Sequence, residues 1–168
     1  MRKLKIELTL TNRIMKKLIA LLILIQSSGF VIGQEKSEIS VNFNHFALSV
    51  KDSDQSAEFY KNVLNLNEIK NRTIIEGIRW LSLGEGKELH LISILKDEIK
   101  TNKAVHLALT TSDFDLLIDK LKSMNIEYSD WPGTINKINV RADGIKQVFF
   151  QDPNDYWIEV NSVAEQKN

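Results

Sequence analysis

The sequence contains no cysteine. That excludes a disulfide framework, a thiolate zinc site and a cysteine nucleophile. It also lacks net charge: 22 Lys+Arg balance 22 Asp+Glu, which argues against a strongly basic nucleic-acid binder. No apolar run is long enough to cross a bilayer. A span needs ~20 apolar residues, and even the stretch Leu18–Ile32 falls short and is broken by Gln26, Ser27 and Ser28. Histidine is scarce, with only His45, His90 and His106. What is present is an ordinary hydrophobic share of 43%, which rules out wholesale disorder. A chain of 168 residues fits one domain, or two small modules packed as one.

The balanced charge is an average over two unlike parts. Lys16 and Lys17 precede the apolar run Leu18–Ile25, and Val31-Ile32-Gly33 follows. A basic start, a short apolar stretch and small residues at the exit read as a secretory signal peptide over 1–33, cleaved after Gly33 or after Gly29. Met15 opens this pattern and is the alternative start. Without a cysteine at the cleavage region the chain is not a lipoprotein, and it keeps no stable membrane anchor after cleavage. The expected location is therefore exported, periplasmic or extracellular. Six of the 22 basic residues and one of the 22 acids lie in 1–33, so residues 34–168 carry 16 against 21, a net charge of −5.

Residues 45–52, His45 to Asp52, resemble residues 106–113, His106 to Asp113. Both alternate as strands do. Phe46, Leu48 and Val50 share one face, and His45, Ala47 and Ser49 the other. Leu107 and Leu109 oppose His106, Ala108 and Thr110. The bulky face suits a helix behind it, and the histidine face suits a cavity. Capping-box signals follow at Asp52-Ser53-Asp54-Gln55 and Ser112-Asp113-Phe114-Asp115. Helical stripes come next: Ala57, Tyr60 and Leu64 with Phe59 and Val63 beside them, then Leu117, Leu121 and Met124 with Ile118. Strand-like runs are expected near 66–75, 76–83 and 87–95, with a hairpin at Gly84-Glu85-Gly86. In the second half they are expected near 126–129, 135–141, 144–151 and 156–162, with a turn at Asp152-Pro153-Asn154-Asp155. The unit is β-α-β-β-β, twice. It divides the chain into an N-terminal extension 34–41, a first module 42–95, a charged linker 96–103, a second module 104–162 and a tail 163–168.

All three histidines fall at repeat-equivalent places. His45 and His106 open the first strand of each half. His90 sits on the last strand of the first half, and Glu159, an acid between apolar neighbours, at the corresponding place in the second. A lone strand histidine is usually a hydrogen-bonded structural residue. Four such donors at symmetric positions point to a shared metal site, His45, His90, His106 and Glu159. Imidazole and carboxylate donors suit Zn, Ni, Co, Mn or Fe as the divalent metal ion.

The repeat, with Asn44 to Val50, Phe59 to Leu64, Val148 to Pro153 and Ile158-Glu159-Val160, resembles the vicinal oxygen chelate superfamily over about residues 42–162. That group includes glyoxalase I, extradiol dioxygenases, fosfomycin-resistance thiol transferases and bleomycin-binding proteins. The resemblance implies an α+β fold in which two tandem βαβββ modules form a half-closed mixed β-sheet cup with helices outside. It places the same four residues at the metal-ligand positions and gives Glu159 a second role as proton-moving catalytic carboxylate. Trp80, Arg79, Gln147, Phe149 and Trp157 are candidates to line the cup. Glyoxalase I commonly has a carboxylate where this chain has His90, while thiol transferases and dioxygenases use the His45, His106 and Glu159 positions. Asp155 replaces the usual glycine of the Asp-Pro-Asn turn, and aspartate tolerates the left-handed conformation.

The implied function is that of an exported glyoxalase-like lyase or isomerase. It would act on a small-molecule substrate with vicinal oxygens, using a divalent metal. Glutathione is mainly a cytoplasmic thiol, so an export signal argues against lactoylglutathione as that substrate. The alternatives are an Fe(II) extradiol-type dioxygenase and a non-enzymatic binding or resistance protein. The resemblance allows a cup within one chain or one shared across a homodimer. In the shared form, His45 and His90 come from one chain and His106 and Glu159 from the other.

Overall fold

The computed structural model describes residues 13, 15–17, 39–95 and 98–163. The chain divides into two units, Met1–Val41 and Asn42–Asn168. The expected signal segment and extension fall largely outside the described residues, with residues 13 and 15–17 helical. Among the described residues no helix is long and apolar enough to cross a membrane.

The second unit runs through the β-α-β-β-β order twice, with one additional two-residue strand in the second module. The first module runs β1 (His45–Ser49), α1 (Ser53–Leu64), β2 (Asn67–Ile69), β3 (Ile78–Gly84) and β4 (Lys87–Ile92). The second runs β5 (His106–Thr111), α2 (Phe114–Ser123), β6 (Tyr128–Ser129), β7 (Asn139–Val140), β8 (Lys146–Gln151) and β9 (Trp157–Ser162). The sheets have strand orders β1-β4-β3-β2 and β5-β9-β8-β6, with β7 paired to β8. In each, the first strand lies parallel to the last and the other pairs are antiparallel. The result is a mixed α+β fold of a four-stranded and a five-stranded sheet.

Alternation sorts the side chains as a pleated strand must. Leu48, Leu81, Leu89 and Leu91 from the first sheet, Val50 just after β1, and Val148, Phe150, Ile158 and Val160 from the second are buried in the hydrophobic core. Ala57, Tyr60 and Val63 of α1 and Leu117, Ile118 and Leu121 of α2 cover them. The opposite sheet faces carry the histidines.

Local chemistry sets the element ends. Asp52 caps α1, its Oδ1 accepting from the Asp54 N–H at 2.8 Å and the Gln55 N–H at 3.0 Å. The second capping signal does not act this way. Asp113 is the N-cap of α2 but makes no side-chain cap bond: its backbone, at φ −105° and ψ 43°, departs from the extended N-cap conformation of Asp52, and its carboxylate accepts from the Ser112 hydroxyl at 3.2 Å. Met124 falls at the α2 C-cap and is exposed rather than packed. Gly84, Glu85 and Gly86 all have positive φ (85°, 50°, 73°), the left-handed geometry of a tight hairpin.

The run expected over 66–75 is a strand only at Asn67–Ile69. Asn71 then closes a turn: its Oδ1 accepts from the Thr73 N–H at 2.9 Å and its Nδ2 donates to the Ile75 and Ile78 carbonyls. These bonds replace the ladder. The runs expected at 126–129 and 135–141 likewise shrink to two residues each. Between them the Asp130 carboxylate accepts from the Gly133 N–H at 3.0 Å, the Thr134 N–H at 2.7 Å and Lys137 Nζ at 2.9 Å.

The turn at Asp152-Pro153-Asn154-Asp155 ties the modules together. Asp152 Oδ1 accepts from the Asn154 and Tyr156 N–H groups, and Asp155 takes φ 67°. The buried Tyr60 hydroxyl donates to Asp152 Oδ2 at 3.0 Å. Asn154 Nδ2 donates to Ser56 Oγ at 2.9 Å, and the Tyr156 hydroxyl to the Ser49 carbonyl at 2.9 Å. Burial pushes the Tyr60 hydroxyl well above the usual tyrosine range, and Asp152 beside it pushes the same way.

Candidate metal centre

Strand register places the four sequence-identified donors symmetrically. In the first sheet Ala47 of β1 faces His90 of β4, and in the second Ala108 of β5 faces Glu159 of β9. His90 and Glu159 are therefore equivalent within the repeat, as are His45 and His106. Each pair meets across one parallel ladder. The two pairs do not come together in one cluster: among the described residues no three His, Cys, Asp or Glu side chains gather as a metal-holding group.

The second-module pair is the better formed. His106 Nε2 lies 3.1 Å from Glu159 Oε2. His106 Nδ1 lies 2.9 Å from the Lys103 carbonyl. A carbonyl only accepts, so Nδ1 carries a hydrogen, and in the neutral ring Nε2 presents a lone pair to the carboxylate. Two lone-pair donors facing each other require a proton or a cation between them. Two donors at ~2.0–2.2 Å from one metal would lie ~3.0–3.4 Å apart, so this pair fits two adjacent positions of a metal site. The backbone carbonyl on the second ring nitrogen is a common support for a metal-ligating histidine.

Glu159 is oriented by a chain of amides. Its Oε1 accepts from Asn161 Nδ2 at 2.6 Å, Asn161 Oδ1 accepts from Gln147 Nε2 at 3.1 Å, and Gln147 Oε1 accepts from Asn139 Nδ2 at 3.2 Å. This leaves Oε2 directed at His106. Gln147, anticipated as a lining residue, is a member of this chain. Asn161 and Asn139 were not anticipated. The available signal was period-two spacing, which puts Asn161 on the face of Glu159.

In the first module the rings stack. His90 lies between His45 (centroids 4.3 Å apart, 13° between planes) and Trp80 (4.1 Å, 5°), and the Arg72 guanidinium covers Trp80 at 4.3 Å. His90 Nε2 is taken by Glu88 Oε2 at 2.8 Å, and Arg72 holds both Glu88 oxygens at 2.7 and 2.9 Å. The His90 hydrogen bond, and then that of Arg72, hold the Glu88 carboxyl below its ordinary value. His45 Nδ1 meets Asn44 Oδ1 at 2.7 Å, which in the neutral ring leaves Nε2 as the lone-pair nitrogen. Glu88 was missed in the sequence, although it lies two residues before His90 on the same face. Arg79, an expected lining residue, instead pairs with Asp54 at 2.9 Å and Glu68 at 3.1 Å on the surface.

Aromatic side chains wall the second-module pair. Phe149 and Trp131 meet His106 edge-on, at 5.7 and 6.3 Å between centroids. Lys103 Nζ lies 4.6 Å from the ring centroids of both Phe149 and Trp157. Burial pulls the Lys103 ammonium below the usual lysine value, against the opposing charge of Asp130. A separate cleft between α1, β5 and α2, lined by Val63, Leu83, Leu109 and Leu117, holds none of the four donors.

Solved structures share this architecture. Oxidase ChaP-H2 is 22% identical with a TM-score of 0.64, and the match covers 74% of this chain and 95% of that one. The genomically encoded fosfomycin resistance protein FosX from Listeria monocytogenes is 18% identical with a TM-score of 0.59, covering 76% and 98%. Lactoylglutathione lyase from Agrobacterium tumefaciens is 15% identical with a TM-score of 0.57, covering 78% and 100%. At these identities the likeness shows the fold alone. No curated protein matches the sequence. The family model that spans both modules, residues 42–160, supplies what the fold alone cannot, and by it the chain belongs to the Glyoxalase/Bleomycin resistance protein/Dioxygenase superfamily.

Proposed function

We propose that this protein is an exported, divalent-metal-dependent lyase or isomerase acting on a small substrate with two adjacent oxygens. The observation that carries the reading is the His106–Glu159 pair, an imidazole nitrogen and a carboxylate oxygen 3.1 Å apart, with the other ring nitrogen held by the Lys103 carbonyl. Bound there, the metal would supply Lewis acidity toward a developing oxyanion. His106 and Glu159 would hold it, Asn161 would aim the carboxylate, and Glu159 would move a proton at the substrate. His45 is the third donor. His90 joins as a fourth once Glu88 releases its Nε2.

Because the two donor pairs stand apart within a chain, the reading includes a homodimer in which each cup takes one pair from each copy. Metal analysis after reconstitution tests the site. About one equivalent per chain is expected for the wild type and a large loss for His106→Ala. A wild type that retains none after reconstitution rejects the reading. Mixing His45→Ala with His106→Ala chains tests the assembly. A shared cup regains about a quarter of wild-type sites, because half the dimers are mixed and each has one intact cup. A cup within one chain regains none. Cell fractionation tests export.

A second reading is favoured by His90. With its Nε2 on Glu88, the remaining donors are His45, His106 and Glu159, the two-histidine, one-carboxylate set of non-haem Fe(II) oxygenases. Oxygen uptake by the Fe(II)-loaded protein with catechols separates this reading from a lyase.

A further inference from the structure

Lys103 differs from the other lysines that the structure places in polar contacts. Lys61, Lys87, Lys137 and Lys146 each have a carboxylate oxygen within 3 Å, at 2.6, 2.6, 2.9 and 2.9 Å. Lys103 Nζ instead donates to two neutral oxygens, Ser129 Oγ at 3.1 Å and the Asp130 carbonyl at 2.6 Å. The Asp130 carboxylate nearby is already committed to Lys137 and two backbone N–H groups. An ammonium has three donors, so one remains, and among the described residues its charge is met by the Asp130 carboxylate only through space, with no direct ion pair. Half-buried charges are normally paired, and the surrounding rings compensate only in part.

Its position gives that charge a use. Phe149 is the cross-strand neighbour of Glu159, and Trp157 is the ladder partner of His106. The ammonium rests 4.6 Å from both ring centroids, so it sits on the cup face beside the two metal donors. The half-exposed Trp131 closes the third side at 5.8 Å. A fixed cation on an aromatic shelf, next to a site for two adjacent oxygens, selects a ligand with a second polar end.

We infer that the substrate carries an anionic oxygen group besides its vicinal oxygens, and that Lys103 is the residue that binds it. This deepens the proposed function and rests on it for the placement of the vicinal oxygens. The competing role for Lys103 is structural, holding the Trp131 turn through Ser129 and Asp130.

Two hydroxamates of similar length separate these roles. Succinic acid monohydroxamate ends in a carboxylate, and pentanohydroxamate is uncharged at that end. Calorimetric titration into zinc-loaded wild type should favour the carboxylated probe by about tenfold, the scale of one hydrogen bond to a charged group. Lys103→Met should abolish the preference while leaving pentanohydroxamate binding unchanged, and Lys103→Arg should retain most of it. A preference that survives Lys103→Met overturns the inference. So does an equal loss of both probes, which assigns Lys103 to holding the turn.

If neither hydroxamate binds wild type, the metal reading fails, and benzoate titrated into metal-free protein decides for Lys103. Saturable quenching of indole fluorescence that is lost in Lys103→Met supports the inference. The same response in both proteins, or none in either, overturns it.

Discussion

Asn161→Ala should weaken metal binding without disturbing the fold. Its Nδ2 lies 2.6 Å from Glu159 Oε1, and the Glu159 side chain is 12% exposed, so water substitutes poorly for the lost donor. With Asn161 present, Glu159 is already turned so that Oε2 faces His106. Without it, the carboxylate must be ordered when the metal arrives. Ordering a freed glutamate side chain costs about 1.5 kcal/mol, which converts to roughly a tenfold weaker dissociation constant. That lies at the lower end of the ~10–100-fold losses seen when outer-shell partners of metal ligands are removed.

The assay is competition for Zn²⁺ against a chromophoric chelator at neutral pH, with circular dichroism as the check on folding. Gln147→Ala should cost only a few-fold, because Gln147 reaches Glu159 only through Asn161. The double variant should be no worse than Asn161→Ala alone, since both act through one chain of hydrogen bonds. A folded Asn161→Ala that holds zinc within twofold of wild type refutes the reasoning. It would mean that packing against Phe149 and Ala108, the ladder partners of Glu159, fixes the carboxylate instead.

Three further outcomes follow from the same contacts. Tyr60→Phe should lower stability in urea by about 1–3 kcal/mol, because it strips a buried hydrogen bond from Asp152 Oδ2; a loss below ~0.5 kcal/mol would show that the bond is replaced. Hydrogen bonding from Lys137, opposed by burial and aided by Thr134, holds the Asp130 carboxyl at about 2, below the ~3.9 of an unfolded chain. The folded value is the lower one, so its stabilisation is complete above ~3.9 and disappears as pH falls toward 2. Asp130→Asn should flatten that acid branch of the urea stability profile, and an unchanged branch rejects the assignment. Glu88→Gln should leave the fold intact and strengthen metal binding a few-fold if His90 is a fourth donor, because the carboxylate that occupies its Nε2 then competes less well; equal affinities in the same chelator assay would leave His90 outside the ligand set.

The placement of the four candidate residues was readable from the sequence because a parallel ladder converts spacing into contact. His45 and His90 lie on the two outer members of one β-α-β-β-β unit, His106 and Glu159 on those of the next, and the register brings Ala47 opposite His90 and Ala108 opposite Glu159. Alternation then puts all four on the faces away from Leu48, Leu91, Ile158 and Val160. The supporting groups had no comparable signature. Asn161, Gln147 and Asn139 are neutral amides at ordinary strand and edge positions, and nothing in their types distinguishes an aligned chain from three solvated side chains. Lys103 fell in a segment whose charge reads as a solvated linker. Its setting appears only when β8, β9 and the Trp131 turn bring three rings around it.

The relation between the two donor pairs was not readable either, for a different reason. Within the second unit the modules are joined by Tyr60 to Asp152, Ser56 to Asn154 and Ser49 to Tyr156, polar contacts spanning 92, 98 and 107 residues. Contacts at such separations follow no period of 2 or 3.6 residues, so a repeat can fix each half-site while leaving their meeting undetermined. Two of these contacts are made from α1, by Tyr60 and Ser56, and α1 packs on the core face, the side opposite the histidines. That placement is consistent with each histidine face being completed by a second copy, and the mixed-variant experiment decides it.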